Sequence, residues 1–345
     1  MTPDAQPQLR TAPPRTIADI HAQTIRQVSV VIPVYAGQTT IPELIAELEP
    51  LTRDSRTPDG HRFRVTEVLF VHDCGPDASD TVIQDLAREH SFVRPVWLSR
   101  NYGQHAATMA GMAGATGDWV ATLDEDGQHD PAELGRMLDF AIARSARLVY
   151  GKPTNEAPHG LLRNLASRTA KAVSHRLLGN AGIQNFSSFR LIDGEVARTV
   201  AAYAGNGVYL DVGLYWITGN VGHCPVTLRA EYGRPSGYSL AKLFGHFWSL
   251  VLTTGTRPLR LITVTGLLSM VAATALTGFI IYRKFTGQIE VQGWASLLII
   301  VSFFSGTILV ALGIIAEYLA KTMGIVMGRP LYVVSTRPVP PLRQP

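Results

Sequence analysis

Residues 119–133 read Trp119-Val-Ala-Thr-Leu123-Asp124-Glu-Asp126-Gly-Gln128-His-Asp130-Pro131-Ala-Glu133. Trp119–Leu123 is short and apolar, as a buried strand is. Asp130-Pro131-Ala-Glu133 is a helix start, with a capping Asp, Pro at the first helical position and an acid at the third. Between them lies an acidic loop. A strand that passes through a polar loop into a helix is the repeating unit of an open α/β sheet.

The same unit recurs on both sides. Val28–Ile32 is an apolar run ending at Pro33, and Ile41, Leu44, Ile45 and Leu48 follow at helical spacing. Val65–Val71 predicts a strand and Asp80–Glu89 a helix with Asp77 or Ser79 as its N-cap. Val93–Leu98 is a third strand, and Ala106–Ala115 a helix of small residues that can pack closely on a sheet. Ala146–Tyr150 follows as a fifth strand after Trp119–Leu123. The alternation predicts an α/β domain over residues 28–238 with a doubly wound, mostly parallel sheet. Ligands of such sheets bind beyond the carboxyl ends of the strands.

Composition narrows the class. Of 345 residues, 46% are hydrophobic and only 17% charged, below the roughly 25% usual in soluble domains. Mean hydropathy is +0.12. Intrinsic disorder and collagen-like sequence are excluded. Cys74 and Cys224 cannot build a disulfide framework or a cysteine zinc site. The net charge of +4 suits anionic lipid or phosphate ligands, and no nucleic-acid partner is expected.

The charge deficit has a location. Leu261–Tyr282 and Val291–Ala316 carry no charged residue, and each exceeds the roughly 20 residues that span a bilayer core. Two transmembrane helices are expected within 259–320, the alternative being buried soluble helices. Leu240, Leu243, Phe244, Phe247, Trp248 and Val251 form an apolar stripe with Lys242 off it. This predicts an interfacial amphipathic helix within 239–258. Residues 1–27, with four prolines among polar residues, predict a disordered or partly helical tail, and 321–345 a C-terminal tail. Flanking Arg257, Arg260, Lys321 and Arg329 favour a cytoplasmic domain and cytoplasmic termini, although Arg283 and Lys284 weaken that bias.

Four polar clusters follow successive strands. Asp124 and Asp126, two apart on an extended chain, face one side together and suit Mg²⁺ or Mn²⁺ held with substrate phosphates. Asp130 has a complete explanation as a helix cap, and His129 reads as a loop residue. In His72-Asp73-Cys-Gly-Pro-Asp77 a carboxylate can accept from a ring N–H or a ribose hydroxyl, although Gly, Pro and Asp also make ordinary turns. Pro33-Val-Tyr35 offers an aromatic ring to a base. Ser99-Arg-Asn101-Tyr-Gly-Gln104-His105 is the fourth cluster.

Taken in order, these motifs resemble family 2 glycosyltransferases of the GT-A fold, and among them the polyprenyl-phosphate glycosyltransferases. The resemblance runs from about Val28 to Val334. It rests on Val-Ile-Pro-Val-Tyr35, His72–Asp77, Ser99–Gly103, Leu123–Pro131, Phe189-Arg-Leu-Ile-Asp193, Arg234–Leu243 and Glu317–Val333.

The resemblance implies transfer of a monosaccharide from a UDP- or GDP-sugar to a polyprenyl phosphate, by inversion, for cell-envelope glycan modification. It further implies that Pro33, Tyr35 and Asp73 line the nucleoside pocket, with Asn101, Gln104 and Lys152 also at the nucleotide sugar. Asp124, Asp126 and Gln128 would hold the metal and the diphosphate. Arg163, Ser167 and Arg234 would hold the lipid phosphate, with Asp124, Asp126, Arg163 and Arg234 counted as catalytic, although Arg163, Arg168 and Lys171 also read as a solvated helix face. A homotetramer is known among such relatives.

The chain departs from the pattern at Ala36-Gly37, at His72, and at Ser187-Ser188, where many relatives carry an acid. A phosphate acceptor, with a second pKa of about 6, needs positioning more than deprotonation. Two other readings remain: another lipid or glycan acceptor, or a non-catalytic nucleotide-sugar-binding membrane protein.

Overall fold

The computed structural model describes residues 24–154, 186–204, 208–229, 293–328 and 330–339, with isolated positions between Gly266 and Thr286. The expected interfacial helix lies outside the described residues, as do Arg163, Ser167 and Arg234.

Strand β1 (Arg26–Val34) is buried continuously from Val28 to Val34, the mark of a strand covered on both faces. It begins inside the stretch expected to be a tail. Its side chains divide by alternation. Val28, Val30, Ile32 and Val34 enter one core, and Val31 enters the other. The remaining strands are β2 (Ser55–Arg56), β3 (Arg62–His72), β4 (Val93–Leu98), β5 (Trp119–Thr122), β6 (Leu148–Pro153), β7 (Arg190–Asp193), β8 (Val221–Val226) and β9 (Val334–Ser335). They form one sheet in the order β8-β6-β7-β5-β1-β3-β4-β9, with β2 antiparallel on β3.

The β1–β3, β1–β5, β3–β4 and β6–β8 pairs are parallel. Strand β7 is antiparallel to both β5 and β6, and β9 to β4. The sheet is thus mixed and mostly parallel. Strand β8, at the far end of the strand order, carries Pro225.

Helices α1 (Ile41–Leu48), α2 (Ser79–Glu89) and α4 (Leu134–Arg144) cover the first core. Helices α3 (Gln104–Gly114), α5 (Gly194–Tyr203) and α6 (Leu210–Ile217) cover the second. Helix α3 needs small residues because it lies close on the sheet: a Cβ at Gly111 would come within 2.3 Å of Val31 Cγ1. The N-cap of α2 is Ala78, not Asp77 or Ser79; Asp77 instead accepts from the Ser79 N–H and hydroxyl. Asp130 caps the Pro131–Glu133 turn as expected, accepting from Ala132 N.

Helix α7 (Trp294–Val326) has 33 residues, a length of about 50 Å at 1.5 Å per residue. Among the described residues it is the one helix long and apolar enough to cross a membrane. It contains most of the second expected span and continues past Ala316 through Val326. Leu297, Val301, Ile308, Leu309 and Leu312 are exposed along it. For the first expected span, the described positions from Gly266 to Tyr282 are helical and exposed. After α7 the chain turns at Gly328 (φ +63°) and returns as β9.

Candidate active site

The carboxyl ends of β1, β3, β4 and β5 bring the four polar loops together, and two carboxylates pin neighbouring loops. Glu125 accepts from the backbone N–H groups of Tyr35 (3.0 Å) and Ala36 (3.0 Å), joining the loop after β5 to the loop after β1. Asp77 accepts from Gln38 N at 3.0 Å on the other side. The loops pack without space: a Cβ at Gly75 would lie 1.4 Å from the Tyr35 carbonyl oxygen. Tyr35 stays 47% exposed, whereas Pro33 is buried within β1.

Asp73 is buried, and both its oxygens accept backbone N–H groups, from Tyr102 and Gly103 at 2.7 Å each. Burial raises its pKa, against the pull of those two bonds and of Arg100. Its place is beneath the Ser99–Gly103 loop. His72, beside it, is buried edge-on to Trp97, and neither ring nitrogen has a hydrogen-bond partner among the described residues.

The acidic loop has a different character. Asp124 accepts from Gln104 Nε2 at 2.6 Å on Oδ1 and from the Ser188 hydroxyl on Oδ2. Asp126 accepts from Gln128 N at 3.0 Å, and Gly127 takes φ +73° to close that turn. His129 is not a solvent-facing loop residue. It is buried, stacks on Phe189 with centroids 4.9 Å apart, and its Nδ1 accepts from Asp124 N at 3.0 Å. A neutral ring then carries its proton on Nε2. Burial lowers the His129 pKa, opposed by Asp124 and Asp126.

Behind Asp124 lies a buried polar network. The Ser188 carbonyl accepts from Thr122 Oγ1 (2.6 Å) and Arg190 Nη1 (3.1 Å). Arg190 makes a two-pronged pair with Asp211 at 2.7 and 2.9 Å, and Tyr150 donates to Asp211 at 2.9 Å. Removing one partner of such a buried pair costs about 3–5 kcal/mol, because the other charge is left uncompensated. Arg229, past β8, returns to the acidic loop. It donates from its backbone to the Gln128 carbonyl (3.0 Å) and from its guanidinium to Asp130 (2.8 Å) and Glu47 (2.6 Å).

The structure therefore joins Asp124, Asp126, Gln128, Gln104 and Tyr35 around one loop cluster. Asn101 and Lys152 are exposed, on the loop after β4 and at the end of β6. Glu125, Arg190, Asp211 and Arg229 were not read from the sequence as site residues. The extended alternation expected of Asp124 and Asp126 does not hold, because the strand ends at Thr122 and Glu125-Asp126 form a turn. Arg190 sits inside the apolar run Phe189–Ile192, which itself asks for a buried partner.

A divalent cation fits this donor set in one way. Asp124 and Asp126 supply hard carboxylate oxygens, but the described residues hold no cluster of three or more His, Cys, Asp or Glu that would cage an ion unaided. Such a site suits Mg²⁺ or Mn²⁺ shared with substrate phosphates.

Comparison with known sequences decides the family. Residues 29–205 match glycosyl transferase family 2. The chain belongs to that family. This family 2 chain is a glycosyltransferase built on a mixed, mostly parallel sheet. It is 30% identical over 320 residues to an undecaprenyl-phosphate 4-deoxy-4-formamido-L-arabinose transferase of Enterobacter sp. (strain 638), covering 90% of this chain and 94% of the relative. It is 28% identical over 317 residues to the enzyme of that name from Salmonella typhimurium, covering 91% and 94%.

Among solved structures, Staphylococcus aureus TarS with UDP-GlcNAc aligns at a TM-score of 0.45 and 16% identity, covering 66% of each chain. Glucosyl-3-phosphoglycerate synthase of Mycobacterium tuberculosis, with Mn²⁺, UDP and glucosyl-3-phosphoglycerate, aligns at 0.45 and 20% identity, covering 72% of this chain and 86% of that one.

Proposed function

We propose that this glycosyltransferase moves a monosaccharide from a UDP- or GDP-sugar to a polyprenyl phosphate at the cytoplasmic face of a membrane. One observation carries the reading. The long apolar helix α7 ends at Val326, and soon after it in the chain β9 begins at Val334 and joins β4 at Leu98, the carboxyl end of the sheet where Asp124 lies. An apolar anchor and an acidic loop at the same end of one sheet suit a substrate whose phosphate lies at a lipid surface. The names of the relatives at 28–30% identity support the same acceptor class.

In this reading Tyr35 packs on the base, and Asn101, Gln104 and Lys152 contact the nucleotide sugar. Asp124, Asp126 and Gln128 would hold Mg²⁺ or Mn²⁺, which supplies charge neutralisation to the departing diphosphate. Arg163, Ser167 and Arg234 hold the acceptor phosphate. That phosphate is largely a dianion at neutral pH, its second pKa being about 6, so an acid at position 188 is not needed to deprotonate it. Ser188 instead steadies Asp124 with its hydroxyl. The acceptor oxygen attacks C1 of the sugar, the bond from C1 to the diphosphate oxygen breaks, and the nucleoside diphosphate leaves.

The test is transfer in reconstituted membranes, with a panel of UDP- and GDP-sugars, polyprenyl phosphate, and Mn²⁺ or Mg²⁺. The expected product is a glycosyl phospholipid, lost with chelator and in Asp126→Ala. Donor hydrolysis or transfer to another acceptor, with none to polyprenyl phosphate, would overturn the acceptor assignment.

A further inference from the structure

We infer that the C-terminal segment Leu331–Ser335 is a positioning element of the donor site: through β4 it holds the Ser99–Gln104 loop, which presents Gln104 to Asp124. What the loop serves rests on the functional reading above. The contacts themselves do not.

The contacts run without a gap. Beyond Gly328, Leu331 and Tyr332 pack half-buried on the second core, where Leu98 and Tyr102 also lie. Val334 and Ser335 pair with Leu98 and Trp97. One residue further along β4, Ser99 N donates to the Val333 carbonyl at 2.9 Å. The Ser99 hydroxyl is 2.9 Å from the Tyr102 hydroxyl, and Arg100 lies over the Tyr102 ring, 4.1 Å from its centroid. Tyr102 N and Gly103 N are fixed by Asp73. Gly103, at φ +89°, then opens α3, whose first residue, Gln104, donates to Asp124.

The loop is therefore tied at one end by the C-terminal segment and at the other by Asp73. Each tie removes backbone freedom during folding that donor binding would otherwise have to remove. The sequence pattern gave this stretch only as a tail, because two residues of strand carry no periodicity. Without it, Ser99 N would lose its partner, and β4 would be a bare edge where the loop begins.

The test uses the full chain in detergent micelles, as wild type, Ser335→Pro, Tyr332→Ala and Tyr332→Phe. Amide hydrogen exchange is read first, without ligand. In Ser335→Pro and Tyr332→Ala, Tyr102 N and Gly103 N should exchange about tenfold faster, while Val30 and Val31 of β1 keep their protection. With a donor identified by the transfer panel, donor KM should rise about three- to tenfold while kcat and acceptor KM stay within about twofold. Tyr332→Phe should behave as wild type.

Faster exchange confined to Ser99 and residues 331–335, with Tyr102 and Gly103 unchanged, would overturn the inference. Tyr332→Ala leaves the backbone ladder intact and decides the question if Ser335→Pro unfolds. If no donor in the panel reacts, the exchange data still decide this inference, and that silence counts against the transferase reading alone.

Discussion

Asp73 and Asp124 are carboxylates just past the ends of two parallel strands, and each makes two short hydrogen bonds. Their donors differ. Asp73 is held by two backbone N–H groups, fixed in space by the loop they belong to. Asp124 is held by the Gln104 amide and the Ser188 hydroxyl, side-chain groups that can rotate away. Asp73 is buried, while the Asp124 side chain keeps 25% of its surface. A carboxylate bound to backbone is part of the architecture. One bound to rotatable side chains can change partners, and a ligand or cation needs that.

The sharpest break of this comparison is Asp124→Asn. Transfer should fall about 10²–10³-fold, as when a group stabilising transition-state charge is removed, while the thermal melt stays near wild type. A large loss of stability would place Asp124 with Asp73. Asp73→Ala should do the reverse first, costing about 2–4 kcal/mol in denaturant titration because two buried N–H groups lose an ionised acceptor. Donor KM should rise with it.

Glu125→Gln comes next. It keeps one acceptor for the Tyr35 and Ala36 amides, so about 1–2 kcal/mol is expected, together with faster amide exchange at both residues. Ser188→Ala should cost the least in rate, about three- to tenfold, and Ser188→Thr should recover most of it. An unchanged rate in Ser188→Ala would show that Gln104 alone holds Asp124.

The weakest effect is on pH. Burial depresses the His72 pKa below its ordinary 6.5, despite Asp80 and Asp77 nearby. The unfolded chain therefore takes up this proton first as pH falls. Stability is full above about 6.5 and declines below it, down to the folded value. Melting temperature measured from pH 8 to pH 5 should fall less in His72→Phe than in wild type.

The main strands of the first half were legible because each holds a run rich in apolar residues, whereas the two-residue polar strand Ser55–Arg56 has no such signal. Val93–Leu98 is read to the residue, and the Trp119 strand to within one. Strand β7 was hidden because Arg190 interrupts its apolar pattern, and only the fold supplies Asp211 as a partner. Strand β8 carries Gly222, His223 and Pro225 in six residues, a poor strand by composition. Asp124 and Asp126 stood out in the sequence by their spacing after a strand, as candidate ligands. The two backbone N–H groups that Asp73 accepts were not legible, because nothing local marks which distant amides a carboxylate meets.

The C-terminal strand has a second consequence, for life in a crowd. With the membrane anchoring proposed above, copies of the chain share a plane, where their local concentration is high and bare sheet edges meet often. The β4 side of this sheet is closed by the chain's own β9, and the opposite strand, β8, carries a proline that cannot donate to a further ladder. Both ends of the sheet are thereby blunted against edge-to-edge aggregation, one by pairing and one by a missing hydrogen. Shortening the chain before Val334 would remove the first of these guards and leave an enzyme more prone to self-association on the membrane than in dilute solution.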